Sequence, residues 1–275
     1  MRPDDKRIWE SYDKKTDSWR KRRKRTEDNQ TLNAVLDKST SIELERLQAK
    51  EFLGPITGTI ASGKEAGVFL AELGKEGKKH CRSLSIESPV VVKIYRTRTL
   101  NFKRISDYIT GDVRFQRHSK KSWKIIKLWA EKEFRNLQRS DQAGVSVPRP
   151  ILVKRNILIM ELIGKEGKPS PLLKRTPAAF TEDTLTQILT QMKSLFLKAK
   201  LIHADLSPFN ILMKETRPYF IDMGQSVLIS HPKAREFLER DLENVLSTFS
   251  LKGVDGPSTN TILEELLSTV NDELA

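Results

Sequence analysis

The chain has a single cysteine, Cys81, in 275 residues. That excludes an internal disulfide and a cysteine-rich zinc site, and it makes a reducing cytoplasm the expected home. Long apolar runs are missing too. None approaches the roughly 18 to 20 residues needed to cross a bilayer, and no apolar signal core stands at the N-terminus. Aromatic residues are sparse at 7% and no internal repeat is found. Acidic residues are outnumbered, 36 against 49 Lys and Arg, which leaves a net charge of +13. A field of that sign attracts polyanions such as nucleic acid, and simple solubility accounts for it equally well.

What is present fits a soluble globular protein with a heavily charged surface: 37% hydrophobic and 31% charged residues. The length suffices for a two-lobed enzyme or for two small domains. Residues 1–30 are polar and carry an unbroken basic run, Arg20 to Arg25, with Trp9 and Trp19 beside it. Such a block repels itself, and it reads either as a solvated tail or as an RNA contact. From Thr31 the spacing of Leu32, Val35 and Leu36, then Ile42, Leu44 and Leu47, predicts two short helices ending at Gly54-Pro55, with Ser39-Thr40-Ser41 as a break and cap.

Strand signals follow. Ile56–Ile60 and Gly67–Glu72 flank the turn Ala61 to Ala66 as a hairpin. A polar connection over 74–88 leads to Val90-Val91-Val92-Lys93-Ile94-Tyr95, a β-branched run that carries one lysine. Beyond a basic segment from Arg96 to Trp123, residues 124–139 are helical, with Ile125, Ile126, Trp129, Phe134 and Leu137 mostly on one face. Ile151-Leu152-Val153 and Ile157–Met160 complete five strands. A Gly/Pro/Lys-rich linker over 163–178 marks a lobe boundary. A helix over 181–200 capped at Thr181, a short strand pair at 211–213 and 219–221, a long helix opened by His231-Pro232 and a last amphipathic helix over 259–274 make up the second half. The expected organisation is a flexible basic tail (1–30), an N-lobe (31–163) and a helical C-lobe (164–275).

The chemistry gathers in Leu201-Ile202-His203-Ala204-Asp205-Leu206-Ser207-Pro208-Phe209-Asn210 and in Asp222-Met223-Gly224. An Asp, an Asn closing the same loop and an Asp after a strand make an arrangement for phosphoryl transfer. One carboxylate accepts the proton of an attacking hydroxyl, while an amide oxygen and a second carboxylate hold the metal. Asp205 is the candidate base. Asn210 and Asp222 are the candidate ligands of Mg²⁺ or Mn²⁺, hard cations that suit oxygen donors. A turn with glycine, a strand lysine, a helix glutamate and a strand entering a linker precede them, in the order of a protein kinase. By that order Lys93 pairs with the ATP phosphates and Glu133 holds Lys93. Ser62, Gly63 and Lys64 line the phosphates, a turn that a plain hairpin would also explain. Met160, Glu161 and Ile163 offer main-chain groups and an apolar slot to adenine. His203 braces the loop. Asp241 either accepts hydrogen bonds from the catalytic-loop backbone or is an ordinary exposed helix residue.

These segments resemble the RIO family of atypical serine/threonine protein kinases over about 31–249. The marks are Ser62-Gly63-Lys64-Glu65-Ala66, Val92-Lys93-Ile94-Tyr95-Arg96, the run from Trp129 to Leu137, His203 to Asn210 and Ile221-Asp222-Met223-Gly224-Gln225. Tyr95-Arg96, the Trp129 helix and Asp222 to Val227 look like the first subfamily in an archaeal-type short form. The resemblance implies an α+β, two-lobed protein-kinase-like fold with a five-stranded antiparallel N-lobe sheet, one inserted helix and a truncated helical C-lobe. It implies ATP-dependent serine autophosphorylation or ATP hydrolysis in maturation of the small ribosomal subunit, and Asp222 as a transient phosphate acceptor. It further implies a pre-ribosomal particle or its rRNA as partner. The family's turn usually reads Ser-Thr-Gly-Lys-Glu where this chain has Ala61-Ser62-Gly63-Lys64-Glu65, so one hydroxyl is missing, and Pro208 replaces a frequent acidic residue. Few residues follow Gly224, which leaves little room for a peptide-docking platform. Ser119 or Ser122 is the expected autophosphorylation site. The rivals are a small-molecule kinase of the aminoglycoside or choline type, against which the basic surface argues, and an RNA-binding assembly factor with little catalysis.

Overall fold

A computed structural model describes residues 30–32, 34–97, 108, 114 and 122–274. The Arg20–Arg25 run, Trp9, Trp19 and Ser119 lie outside the described residues, as do most of the 98–121 segment and the side chain of Ser122.

The first lobe is built on strands β1 (Leu53–Ser62), β2 (Ala66–Leu73), β3 (Val90–Tyr95), β4 (Pro150–Lys154) and β5 (Ile157–Met160). They form one antiparallel sheet in the order β1-β2-β3-β5-β4. Three consecutive valines place β3 at its centre, where every residue is buried. Strand β2 alternates strictly, with Gly67, Phe69, Ala71 and Leu73 turned inward. Phe69, Ala71, Val90, Val92, Ile94, Ile157 and Ile159 share a cluster with Val35, Leu44, Leu47 and Cys81. That face is covered by helices α1 (Lys38–Ala49) and α2 (Lys75–Arg82).

Two expectations need correction here. Residues 30–32 and 34–35 are helical, but the cap of α1 is Asp37, whose Oδ1 accepts from Thr40 N at 2.7 Å. Ser39, Thr40 and Ser41 lie inside the helix. It ends at Ala49, and Gly54-Pro55 belong to β1. A carboxylate at the N-cap outcompetes hydroxyls because it meets both an orphan N–H and the positive end of the helix. The supposed polar connection over 74–88 contains α2, so more than one helix is inserted among the strands. Glu76 N and Gly77 N both donate to Glu51 O, and a Cβ at Gly77 would fall 2.0 Å from Phe52 O, so only glycine admits this approach.

The opposite face of the sheet carries Lys93 beside Val68 and Leu158 in register. It faces α3 (Ser122–Gln142), whose Ile126, Trp129, Ala130 and Leu137 share one cluster with Tyr95 and Leu158 of the sheet and with the second lobe. The linker is more ordered than its composition indicates: Gly164–Lys165 (β6) pairs with Lys168–Pro169 (β7), and two 3-10 turns follow at Leu173–Arg175 and Pro177–Ala179. Helix α4 (Glu182–Leu197) starts at the expected cap, Thr181. Strands β8 (Leu201–Ile202) and β11 (Val227–Leu228) pair with each other, as do β9 (Ile211–Lys214) and β10 (Arg217–Phe220). Helices α5 (Ala234–Ser250) and α6 (Thr259–Leu274) close the core. The β8–β11 and β9–β10 pairs present two loops, 203–210 and 221–226, toward the lysine-bearing face of the sheet.

Candidate active site

Lys93 is 7% exposed, and its ammonium has three short contacts. Nζ donates to Glu133 Oε1 at 2.9 Å and Oε2 at 2.8 Å, and to Asp222 Oδ1 at 2.9 Å. One central strand, one helix and one loop therefore meet at a single charge. Burial alone would lower the lysine, but the carboxylates of Asp222 and Glu133 outweigh it and hold the ammonium charged. Burial pushes the fully enclosed Glu133 up, to about 7, against the pull of Lys93. Asp222, with 48% of its side chain exposed, is drawn below the usual carboxylate range by the Lys93 ammonium. Of the two carboxylates on this cation, the open one is held ionised more firmly.

Asn210 Nδ2 donates to Asp205 O at 2.8 Å and to Asp205 Oδ2 at 3.3 Å. Its amide nitrogen is committed to the catalytic loop, which turns its Oδ1 the other way. Asn210 O also receives Ile221 N at 2.9 Å, tying the end of one loop to the start of the next. An amide oxygen and a half-exposed carboxylate on adjoining loops make a hard-oxygen donor set, which fits Mg²⁺ or Mn²⁺.

Two residues in these loops have left-handed backbones: Ala204 at φ +65° and Asp222 at φ +62°. Side chains other than glycine adopt that region at a cost of about 1 kcal/mol or more and persist there when their surroundings over-determine them. Around Ala204 the restraint comes from α5. Asp241 is buried, and it accepts from Ala204 N at 2.7 Å and Leu206 N at 2.9 Å, while Arg240 donates to Ala204 O. The exposed-helix alternative for Asp241 is excluded. Burial pushes its carboxyl up to about 7, opposed by those two N–H donors.

His203 is buried, and its Nε2 donates to Ile221 O at 3.0 Å. Burial lowers the ring to about 4, so it is a neutral brace between the loops. Sequence reasoning missed Gln225, whose Nε2 donates to Asp205 Oδ2 at 3.0 Å. It stood in the quoted run after Asp222, and only the folding of that run against the catalytic loop gives it a partner.

Of the predicted phosphate residues, Ser62 ends β1, and Gly63 and Lys64 lie in the turn 63–65, closed by Gly63 N on Ala66 O at 2.9 Å. Arg96 fastens it from just beyond the end of β3, with Nε to Gly63 O at 2.9 Å and Nη2 to Ser62 Oγ at 3.0 Å. Met160 lies opposite Val91 at the start of the hinge. Glu161 N donates to Arg149 O, and Ile163 O receives Ser170 N, each at 2.9 Å. Among the main-chain bonds of the described residues, Glu161 C=O and Ile163 N–H remain unused for an adenine edge. The Glu161 side chain points into a bidentate pair with Arg149, whose guanidinium also reaches Leu84 O and Ser85 O.

The RIO domain matches residues 69–262 of this sequence, about seven-tenths of the chain. The RIO-type serine/threonine-protein kinase Rio1 of Methanocaldococcus jannaschii is 40% identical over 235 residues, covering 86% of this chain and 77% of that protein. The chain belongs to the RIO family. It is a serine/threonine-protein kinase of the RIO type. The RIO1 homolog of Encephalitozoon cuniculi is 41% identical over 262 residues, covering 91% of this chain and 68% of that one. The fold is that of the Rio2 kinase of Chaetomium thermophilum, seen as an ADP/Mg²⁺-phosphoaspartate complex: TM-score 0.55 at 22% identity, over 80% of this chain and 64% of that one. The fold is thus two-lobed and protein-kinase-like, with the five-stranded antiparallel sheet that the family resemblance implied.

Proposed function

We propose that this RIO kinase binds ATP in the cleft between sheet and loops and transfers its γ-phosphoryl group to a serine or threonine of its own chain, or to water. The observation that carries the reading is the assembled Lys93–Glu133–Asp222 cluster beside Asp205 and Asn210. Lys93 would bind the α and β phosphates, kept in place by Glu133. The Ser62-Gly63-Lys64 turn would cover them. Glu161 C=O and Ile163 N–H would bind the adenine edge, with the side chains of Met160 and Ile163 forming its apolar slot. Asn210 and Asp222 would hold Mg²⁺ or Mn²⁺, which when bound neutralises phosphate charge. Asp205, oriented by Gln225 and Asn210, would accept the proton as the acceptor oxygen bonds to phosphorus and the bond to the β-phosphate oxygen breaks.

Asp222 itself is a candidate transient acceptor, since its carboxylate is half exposed and the relative from Chaetomium is a phosphoaspartate complex. We further read the protein as the first-subfamily, short archaeal-type form, working in the cytoplasm on a precursor of the small ribosomal subunit. The support is the family and a net charge of +13 suited to an RNA-rich surface. The test is incubation with labelled ATP and Mg²⁺, reading phosphoserine, acyl phosphate and free phosphate separately. Transfer to serine or water is expected. No label in any of the three pools would leave a non-catalytic assembly factor.

A further inference from the structure

We propose that Lys132, with Asn136, is a positioning residue that locks the Asp222 loop in its ligand-holding conformation. This rests on the reading of Asp222 as a metal ligand. Lys132 is fully buried, an unusual position for an ammonium inside a helix. Its Nζ donates to Gly224 O at 2.8 Å and Ser226 O at 2.5 Å. One turn on, the equally buried Asn136 donates through Nδ2 to Met223 O at 2.8 Å and again to Ser226 O at 3.0 Å. The Asn136 amide cannot turn over without loss, because its Oδ1 receives Arg114 Nη1 at 2.9 Å.

Three carbonyls just after Asp222 therefore point into the protein rather than to solvent, and α3 supplies every one of these donors. The spacing of four along the helix places both on one side, next to Glu133. Trp129 completes the seat: a Cβ on Gly224 would lie 3.2 Å from its indole nitrogen. The arrangement matches what Arg240 and Asp241 of α5 do for the left-handed Ala204. A buried charge on a helix meets the misdirected backbone groups of a strained loop and makes the strained form the stable one. Replacing the ammonium with an apolar chain would strand Gly224 O and release Asp222 from φ +62°.

The experiment compares the parent with Lys132→Met, close to it in shape but unable to donate. Calorimetry measures ATP affinity in EDTA and then Mg²⁺ affinity of the ATP-bound protein. Amide hydrogen exchange is followed at 221–227 without any ligand. Expected are a loss of Mg²⁺ affinity of about ten- to a hundredfold, the range for residues that orient a metal ligand, with metal-free ATP affinity within about twofold. Exchange at 221–227 should quicken relative to the β3 amides. Unchanged Mg²⁺ affinity, or an equal loss of metal-free ATP affinity, would overturn the proposal. Should Lys132→Met not fold, Asn136→Ser removes the neighbouring donors and must show the same selective loss, smaller in size. If the parent itself takes up no Mg²⁺ with ATP, the functional reading fails, and exchange alone then decides whether the lock is real.

Discussion

At the scale of single residues, Asp205, Asp222 and Asp37 show how position sets what the same side chain does. Asp205 receives two amide donors that fix its carboxylate without neutralising it. Asp205→Ala should cut phosphoryl transfer by about 10²- to 10⁴-fold and leave ATP affinity nearly intact; turnover equal to the parent's would remove it as the base. Asp222→Ala should abolish the Mg²⁺ dependence of ATP affinity, and a calorimetric Mg²⁺ response like the parent's would contradict the ligand assignment. Asp37 caps α1. Although burial raises it, bonds from Thr97, Thr40 and Ser39 outweigh burial and bring it from the usual 3.8 to about 2. A carboxylate depressed by folding stabilises the fold above its unfolded value and stops doing so as pH falls through its folded value. Asp37→Asn should therefore lower the urea midpoint at pH 6, with the gap closing between about pH 4 and 2. A gap constant across that window would show that the charge is irrelevant.

Elements were legible in the sequence to different degrees, and the differences have causes. Strands β2, β3 and β5 announce themselves because β-branched or alternating residues fit a pleated, buried surface and little else. Helix α2 was hidden, since only Gly77 and Cys81 of its eight residues are buried and the rest read as a polar loop. That Lys93, Glu133, Asp205, Asn210 and Asp222 gather at one cleft could be read from their order along the chain. The contacts of Lys132, Asn136 and Gln225 could not, because a polar residue in a helix or loop looks solvated until its long-range partner is known. Asp241 makes the element-scale case best: it couples α5 to the catalytic loop through two buried N–H groups. Asp241→Ala should cost about 3 kcal/mol by leaving both unpaired, read from denaturant unfolding. A loss below about 0.5 kcal/mol would mean that the loop re-forms its bonds elsewhere.

For the whole molecule, charge and core organisation matter most. If the Arg20–Arg25 run engages single-stranded RNA, replacing its six basic residues should reduce the slope of log affinity against log salt by about 4, measured by anisotropy on an oligonucleotide. An unchanged slope would assign the binding to other surfaces. One buried cluster runs from Tyr95 and Leu158 of the sheet through α3 into the second lobe, while α1 and α2 line the far side of the sheet. Glu133 is thus carried by the same packed body as Asp222, which favours a site assembled before nucleotide arrives. The hinge carries a consequence for inhibitor chemistry. Adenine needs one acceptor and one donor, which in the proposed binding mode come from Glu161 C=O and Ile163 N–H. A synthetic heterocycle with a donor–acceptor–donor edge would reach for Ile163 C=O as a third point, and there it must share the oxygen with Ser170 N–H. Scaffolds of that kind should gain less from their third contact here than a two-point binder that spends the same atoms filling the space beside Met160.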